Sequence, residues 1–180
     1  MKRRRRICDG IRAAVACLGM LSSCLMAAQQ KPAEYAVKAA YIYNFGKFAK
    51  WPSEARAFNI CVLGKDPFGG ELDRTVAGEA IDGKPIVVRR MLDLNHGLDC
   101  QILFLSNSER SRMSSILAQV QNMPILTVSD APDFVEHGGM IQFELQHDRV
   151  RFSINLRSAR EAKLNISSDL LNVASRVEGK

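Results

Sequence analysis

Few of the 180 residues have both the type and the spacing to do chemistry. With Cys8, Cys17 and Cys24 assigned to an N-terminal segment described below, Cys61 and Cys100 are the remaining thiols. An even pair in an exported chain reads as a disulfide. Closing a loop of about 40 residues, it would restrict the unfolded chain by about 4 kcal/mol. Two thiols without a CxxC spacing point away from dithiol redox catalysis and from a thiolate zinc site. His96, His137 and His147 lie in polar stretches with no HExxH spacing and read as surface residues. Asp133, Glu136 and His137 are the one grouping that folding could turn into a metal site.

Gly64-Lys65-Asp66-Pro67-Phe68-Gly69-Gly70 follows an apolar run and precedes a helical one, so its backbone N–H groups could cradle an anion. It lacks the GxGxxG spacing and the lysine-hydroxyl pair of a P-loop, and a tight turn explains it more simply. There is no GxSxG, no paired catalytic carboxylates and no cofactor fingerprint. The expectation is a non-enzyme with no catalytic residue, no metal and no cofactor. Ser153 and Asn155, with Arg151 and Arg157 nearby, read as a solvated strand edge. A docking surface for a protein partner is the sharper alternative.

The elements that would position these residues follow from periodicity. Val37, Tyr41, Phe45 and Phe48 recur at helical spacing, and Pro52 is expected to stop that helix just after Trp51. Phe58 to Gly64, Pro85 to Arg90, Cys100 to Leu105 and Pro124 to Val128 are short, nearly continuous apolar runs. Asp66-Pro67 is expected to start a helix running to Val76. Ser108 is expected to cap a second one, with Met113, Ile116, Leu117 and Val120 on one face. Apolar runs alternating with helices indicate a mostly parallel sheet covered on both faces. Met140 to Leu145 and Val150 to Asn155 instead alternate apolar with polar and predict an antiparallel hairpin at the C-terminal edge, one side wet. Helices at Ser158 to Lys163 and Ser167 to Val177 close the chain. The fold class is therefore α/β: a three-layer arrangement with a mostly parallel central sheet and a C-terminal hairpin. Were strands one and three neighbours, as in doubly wound sheets, Cys61 and Cys100 would lie within bonding reach.

Residues 1–28 read as an address. Lys2 and Arg3 to Arg6 precede an apolar segment from Ala13 to Leu21, then Ser22, Ser23, Cys24 and the small pair Ala27-Ala28. This is the layout of a secretory signal, too short to be a permanent membrane span. Cleavage after Ala27 or Ala28 would release a soluble protein. Leu21-Ser22-Ser23-Cys24 also fits a lipobox, in which Cys24 would be lipidated. One Lys, five Arg and one Asp in this segment carry five of the six formal positive charges. The basic balance therefore belongs to the signal, and nucleic-acid binding is not expected. What remains, residues 31–178, is expected to be one exported domain.

Several stretches in order carry a family resemblance: Tyr35-Ala36-Val37-Lys38-Ala39-Ala40-Tyr41-Ile42-Tyr43-Asn44-Phe45 through Trp51-Pro52, Val62-Leu63-Gly64-Lys65-Asp66-Pro67-Phe68-Gly69, Leu126-Thr127-Val128-Ser129-Asp130, Gly138-Gly139-Met140-Ile141, and Val150 to Leu156. Together they resemble the YfiR family of bacterial periplasmic regulators. The resemblance implies a regulator that represses an inner-membrane diguanylate cyclase by binding its periplasmic domain. Lower cyclic-di-GMP and less biofilm would follow. It also implies a homodimer, and release by an outer-membrane peptidoglycan-binding lipoprotein. The family's disulfide between strands one and three falls on Cys61 and Cys100. A second family disulfide has no counterpart, because Val135 and Gln142 occupy its positions. The family's partner surface falls on Ile141, Phe143, Ser153, Asn155 and Arg157. A periplasmic small-molecule binding protein is the rival reading, and a hydrolase with an unrecognised site a second one.

Overall fold

A computed structural model describes residues 33–52, 55–94 and 98–179. The secretory-segment and lipobox readings, Cys24 and His96 lie outside the described residues. From Tyr35 onward the described residues belong to one compact unit.

Helix α1 covers residues 33–48 and runs directly into β1 (Ala49–Lys50). β2 (Phe58–Leu63), α2 (Glu71–Val76), β3 (Ala80–Ile81), β4 (Lys84–Met91) and β5 (Ile102–Leu105) follow. A 3₁₀ turn (Asn107–Arg112) leads into α3 (Met113–Val120) and β6 (Leu126–Ser129). The chain ends with β7 (Ile141–Gln146), β8 (Arg149–Asn155), α4 (Leu156–Glu161), β9 (Asn165–Ile166), α5 (Ser168–Val173) and β10 (Arg176–Glu178). The main sheet has the order β10-β8-β7-β6-β5-β2-β4-β3, while β1 and β9 pair separately. β4, β2, β5, β6 and β7 run parallel, and β7–β8 is the antiparallel hairpin. This is the expected α/β architecture.

β2, β5 and β6 are buried along their whole lengths, as strands covered on both faces must be. One core layer joins α1, α2, α4 and α5 to the sheet; the other lies under α3 and Phe134. Met113, Ile116, Leu117 and Val120 form the buried stripe of α3, as their spacing predicts.

Several local expectations are corrected. Val37 is 46 % exposed and Phe48 38 %, whereas Lys38, Ala39, Ile42, Phe45 and Ala49 are buried. The stripe is rotated because Lys38, polar by type, is buried against Asp130. Its Nζ lies 2.7 Å from Oδ2, which also accepts a hydrogen bond from the Tyr35 hydroxyl at 2.7 Å. α1 ends before Trp51-Pro52, since Ala49 and Lys50 pair with Ile166 and Asn165. Asp66 does not cap α2; its Oδ1 accepts the Phe68 N–H two residues on, an Asx turn. Ser106, not Ser108, caps the turn after β5. The closing segment expected to be helical to Val177 stops at Val173 and continues as β10, parallel to β8.

Gly138 takes φ +93, the role expected of it at the start of the hairpin. Gly139 serves another purpose: a Cβ there would sit 2.2 Å from Cε1 of Phe134. His147 and Asp148, with φ 50 and 59, make the two-residue turn of the β7–β8 hairpin.

The Lys38–Asp130 pair has side-chain exposures of 5 % and 9 %. Replacing Lys38 alone leaves a buried carboxylate without its counter-charge, which typically costs about 3–5 kcal/mol. Lys38→Met is therefore expected to lower the unfolding free energy by that margin, read as a lower midpoint in urea denaturation. Lys38→Met combined with Asp130→Leu should recover much of the loss.

Candidate functional site

Parallel α/β sheets usually bind ligands where the strand order reverses, beyond the carboxyl ends of the strands. Here the reversal lies between β2 and β5. The chain fills that crevice itself. Ser106 N–H donates to the Leu63 carbonyl at 3.0 Å, and Lys65 N–H donates to Ser108 Oγ at 2.9 Å. Gly64, at φ +89, lies so close to this turn that a Cβ would be 2.5 Å from Ser108 Oγ and 2.6 Å from Glu109 Oε1. The glycine loop read as a possible anion cradle is thus closed by its own chain, and Asp66 is tied to Arg90 at 2.7 Å.

The cysteines are joined: Cys61 of β2 and Cys100, just before β5, form a disulfide with Cα atoms 5.9 Å apart. Both are buried under α3. Beside them Gln101 ties three strands' ends together, its side chain accepting the Asn59 N–H at 2.7 Å and its carbonyl accepting the Trp51 indole N–H at 3.1 Å.

Asp133, Glu136 and His137 do not converge. Glu136 bonds Arg176 at 2.8 Å, and His137 Nδ1 lies 2.6 Å from the Asp133 carbonyl. Among the described residues, no group of three or more His, Cys, Asp or Glu is placed to hold a metal ion. A cavity of about 240 Å³ lies between α3 and α4, with Leu117 and Met140 among its apolar lining and His137, Ser158 and Glu161 among the polar groups.

The five residues assigned to a partner surface are divided by the structure. Ile141, Phe143 and Ser153 are 0 %, 3 % and 0 % exposed, so they lie beneath the surface of the folded chain. The hairpin is wet on one side only near its tip, because the turn after β6 covers the remainder. Val135 N–H donates to Gln142 Oε1 at 3.2 Å, and Asn155 Nδ2 donates to the Val135 carbonyl at 3.1 Å. The same Asn155 caps α4, its Oδ1 accepting the Ser158 N–H at 3.1 Å. Arg157 is exposed.

The rim around it holds the exposed Arg160, whose guanidinium reaches the Gly179 carbonyl beside Arg157. Exposed as well, elsewhere on the C-terminal elements, are Leu145 (58 %), Val173 (64 %), Arg149, Arg151 and Arg176. The Arg176 guanidinium, bonded to Glu136, holds that carboxyl below the usual range. Its contribution is present above the ordinary glutamate pKa and is lost as pH falls through the depressed folded value.

Comparison with known proteins decides the family. A family model described as YfiR/HmsC-like matches residues 35–175. The chain belongs to the YfiR/HmsC-like family. That family is periplasmic, regulatory and non-catalytic, and suggests a role in cyclic-di-GMP signalling. No curated protein matches the chain significantly. Among solved structures, a conserved domain protein from Vibrio cholerae O1 biovar eltor superposes with a TM-score of 0.55 at 11 % identity. The match covers 78 % of this chain and 60 % of that one, and at this identity it supports the fold alone. No helix among the described residues is long and apolar enough to cross a membrane.

With both sulfurs buried and bonded, native mature protein, lacking residues 1–28, should give no reaction with a thiol reagent. Reduction under denaturing conditions should release the thiols of Cys61 and Cys100. Cys61→Ser with Cys100→Ser should lower stability by about 4 kcal/mol, read by urea denaturation.

Proposed function

We propose that this YfiR/HmsC-like chain is a non-catalytic periplasmic regulator. It binds the periplasmic domain of an inner-membrane diguanylate cyclase and represses it, lowering cyclic-di-GMP and biofilm formation. The observation that carries the reading is the family match over residues 35–175. The crevice closed between β2 and β5 supports it further, because the usual small-molecule position of such a sheet is taken by Ser108 and Glu109. That closure also weighs against the rival small-molecule binder using the loop after β2.

Repression then works by linkage: the regulator binds the inactive arrangement of the cyclase more tightly than the active one. A switch from 1:99 to 99:1 needs a preference of about 10⁴-fold, or about 5.5 kcal/mol. The contact face is the exposed rim around Arg157 and the half-buried Asn155, at the C-terminal end of the chain. Ile141, Phe143 and Ser153 act from beneath it as support. A homodimer, and sequestration by an outer-membrane peptidoglycan-binding lipoprotein, complete the proposed circuit.

A pull-down of the mature chain with the periplasmic segment of a membrane diguanylate cyclase tests this. The unmodified chain should form a complex under oxidising conditions, and Arg157→Glu should weaken it at least tenfold with the melting temperature unchanged. No complex with the unmodified chain, together with a defined metabolite that raises its melting temperature, would overturn the regulator reading.

A further inference from the structure

We propose that the outer edge of β8 is a strand-addition site. It would be guarded by β10 as a displaceable clip and would take an extended partner segment in which apolar and acidic residues alternate. The inference deepens the partner reading above and rests on it.

Ser175 N–H and Oγ–H both donate to the Phe152 carbonyl, at 2.9 and 2.8 Å. The backbone groups of Phe152 therefore point outward. By the strand's alternation those of Val150 and Ile154 do too. Asn155 N–H points the other way, to the Met140 carbonyl on the β7 side. β10 covers only part of this edge: its register runs from Arg176 opposite Ser153 to Glu178 opposite Asn155. On this outer edge, among the described residues, no strand pairs with Arg149 to Phe152. Val150 is 8 % and Phe152 1 % exposed, so this end of the edge opens only as β10 and Ser175 move away. An opened edge is a template for another strand.

The side chains at the uncovered end define what fits. On one face lies Leu145, paired across the hairpin with Val150 and 58 % exposed. Val173, two residues before the Ser175 bond, is 64 % exposed. On the other face Arg149 and Arg151 are exposed and make no ion pair among the described residues. An incoming strand would set apolar residues beside Leu145 and Val173 and carboxylates beside Arg149 and Arg151.

The clip itself is lightly held. β10 has three residues, none fully buried, and its ion pair to Glu136 is about half exposed on both sides. Its end is fastened by Gly179, at φ +72, with the carbonyl accepting from Arg160 at 3.3 Å. A Cβ at Gly179 would lie 2.8 Å from the Arg157 backbone nitrogen, so only glycine seats there. Short, exposed segments of this kind open before the core does. Once β10 lifts, an incoming strand would pair along β8 from Val150 to Ile154.

The test uses the mature chain, a form ending at Ser175, and Gly179→Ala. The probe is a seven-residue peptide alternating Glu and Val, with a block-sequence peptide of the same composition as control. Hydrogen exchange is read over residues 149–155, 175–178 and the β5 amides. We expect β10 amides to exchange at least a hundredfold faster than those of β5. The alternating peptide should protect residues 150–154, binding both altered forms at least tenfold more tightly than the intact chain. Equal effects of the two peptides, protection elsewhere, or equal affinity of the three chains would overturn the proposal. So would loss of β5 protection in both altered forms, since β10 would then belong to the cooperative core. None of these readings depends on the cyclase, so failure here is distinguishable from failure of the regulator reading.

Discussion

The fold depends on α1 being locked to the far end of the chain by aromatic rings. The Phe45 ring lies 5.0 Å from that of Phe152 and 5.6 Å from that of Phe143, and Tyr41 lies 5.3 Å from Phe152. Each buried phenylalanine stabilises by about 1.5–3 kcal/mol. The edge and stacked geometries add about 0.5–1.5 kcal/mol per pair. This contact makes one core from two kinds of sheet, the parallel strands β2, β5 and β6 and the antiparallel hairpin. Lys38–Asp130 and the β1–β9 pairing lie on either side of the rings along the same helix, so α1 is held at three levels.

Much of this was legible in the chain because the central strands carry their own evidence. Phe58 to Leu63, Ile102 to Leu105 and Leu126 to Ser129 contain runs too apolar and too short for anything but buried strands. Cys61 and Cys100 were readable as a pair because they are the two cysteines left once the N-terminal segment is set aside, and the adjacency of β2 and β5 brings them within reach. The phase of α1 was not legible. Hydropathy counts Lys38 as solvent-facing, and its partner Asp130 lies 92 residues away. β10 was hidden for a related reason: Leu170, Leu171, Ala174 and Val177 keep helical spacing, yet the chain turns extended at Ala174 and pairs with β8.

The candidate surface was legible in place but not in detail. Alternation predicts that Ser153 faces water, and near the hairpin tip the same rule holds for Arg149 and Arg151. It fails at Ser153 because a non-local segment covers that face. Phe134 packs on Gly139, and Val135 and Gln142 meet through a hydrogen bond. Residues 135 and 142 are thus joined by a polar contact where the family resemblance places a second disulfide. The covering turn can therefore rest on hydrogen bonding and on Phe134 in place of a covalent link.

The two edges of the main sheet differ in what they leave exposed. Both end in strands of two or three residues, β3 and β10, which limits uncontrolled pairing. Their charges are managed differently. At the β4 edge, Arg90 is bonded to Asp66 and Asp73, and Arg89 lies 4.0 Å from Asp99. Those arginines fasten loops to the sheet and are committed within the chain. At the β8 edge, Arg149 and Arg151 are exposed and make no ion pair among the described residues, although Glu144 stands opposite Arg151. Leu145 is exposed on the other face of the hairpin. An edge whose charges are internally neutralised offers little to a charged partner. One that combines unpaired arginines with exposed aliphatic groups has both a sign and an apolar contact to recognise. The asymmetry favours the proposed contact face at the C-terminal side, where α1 and its rings pack on the underlying hairpin.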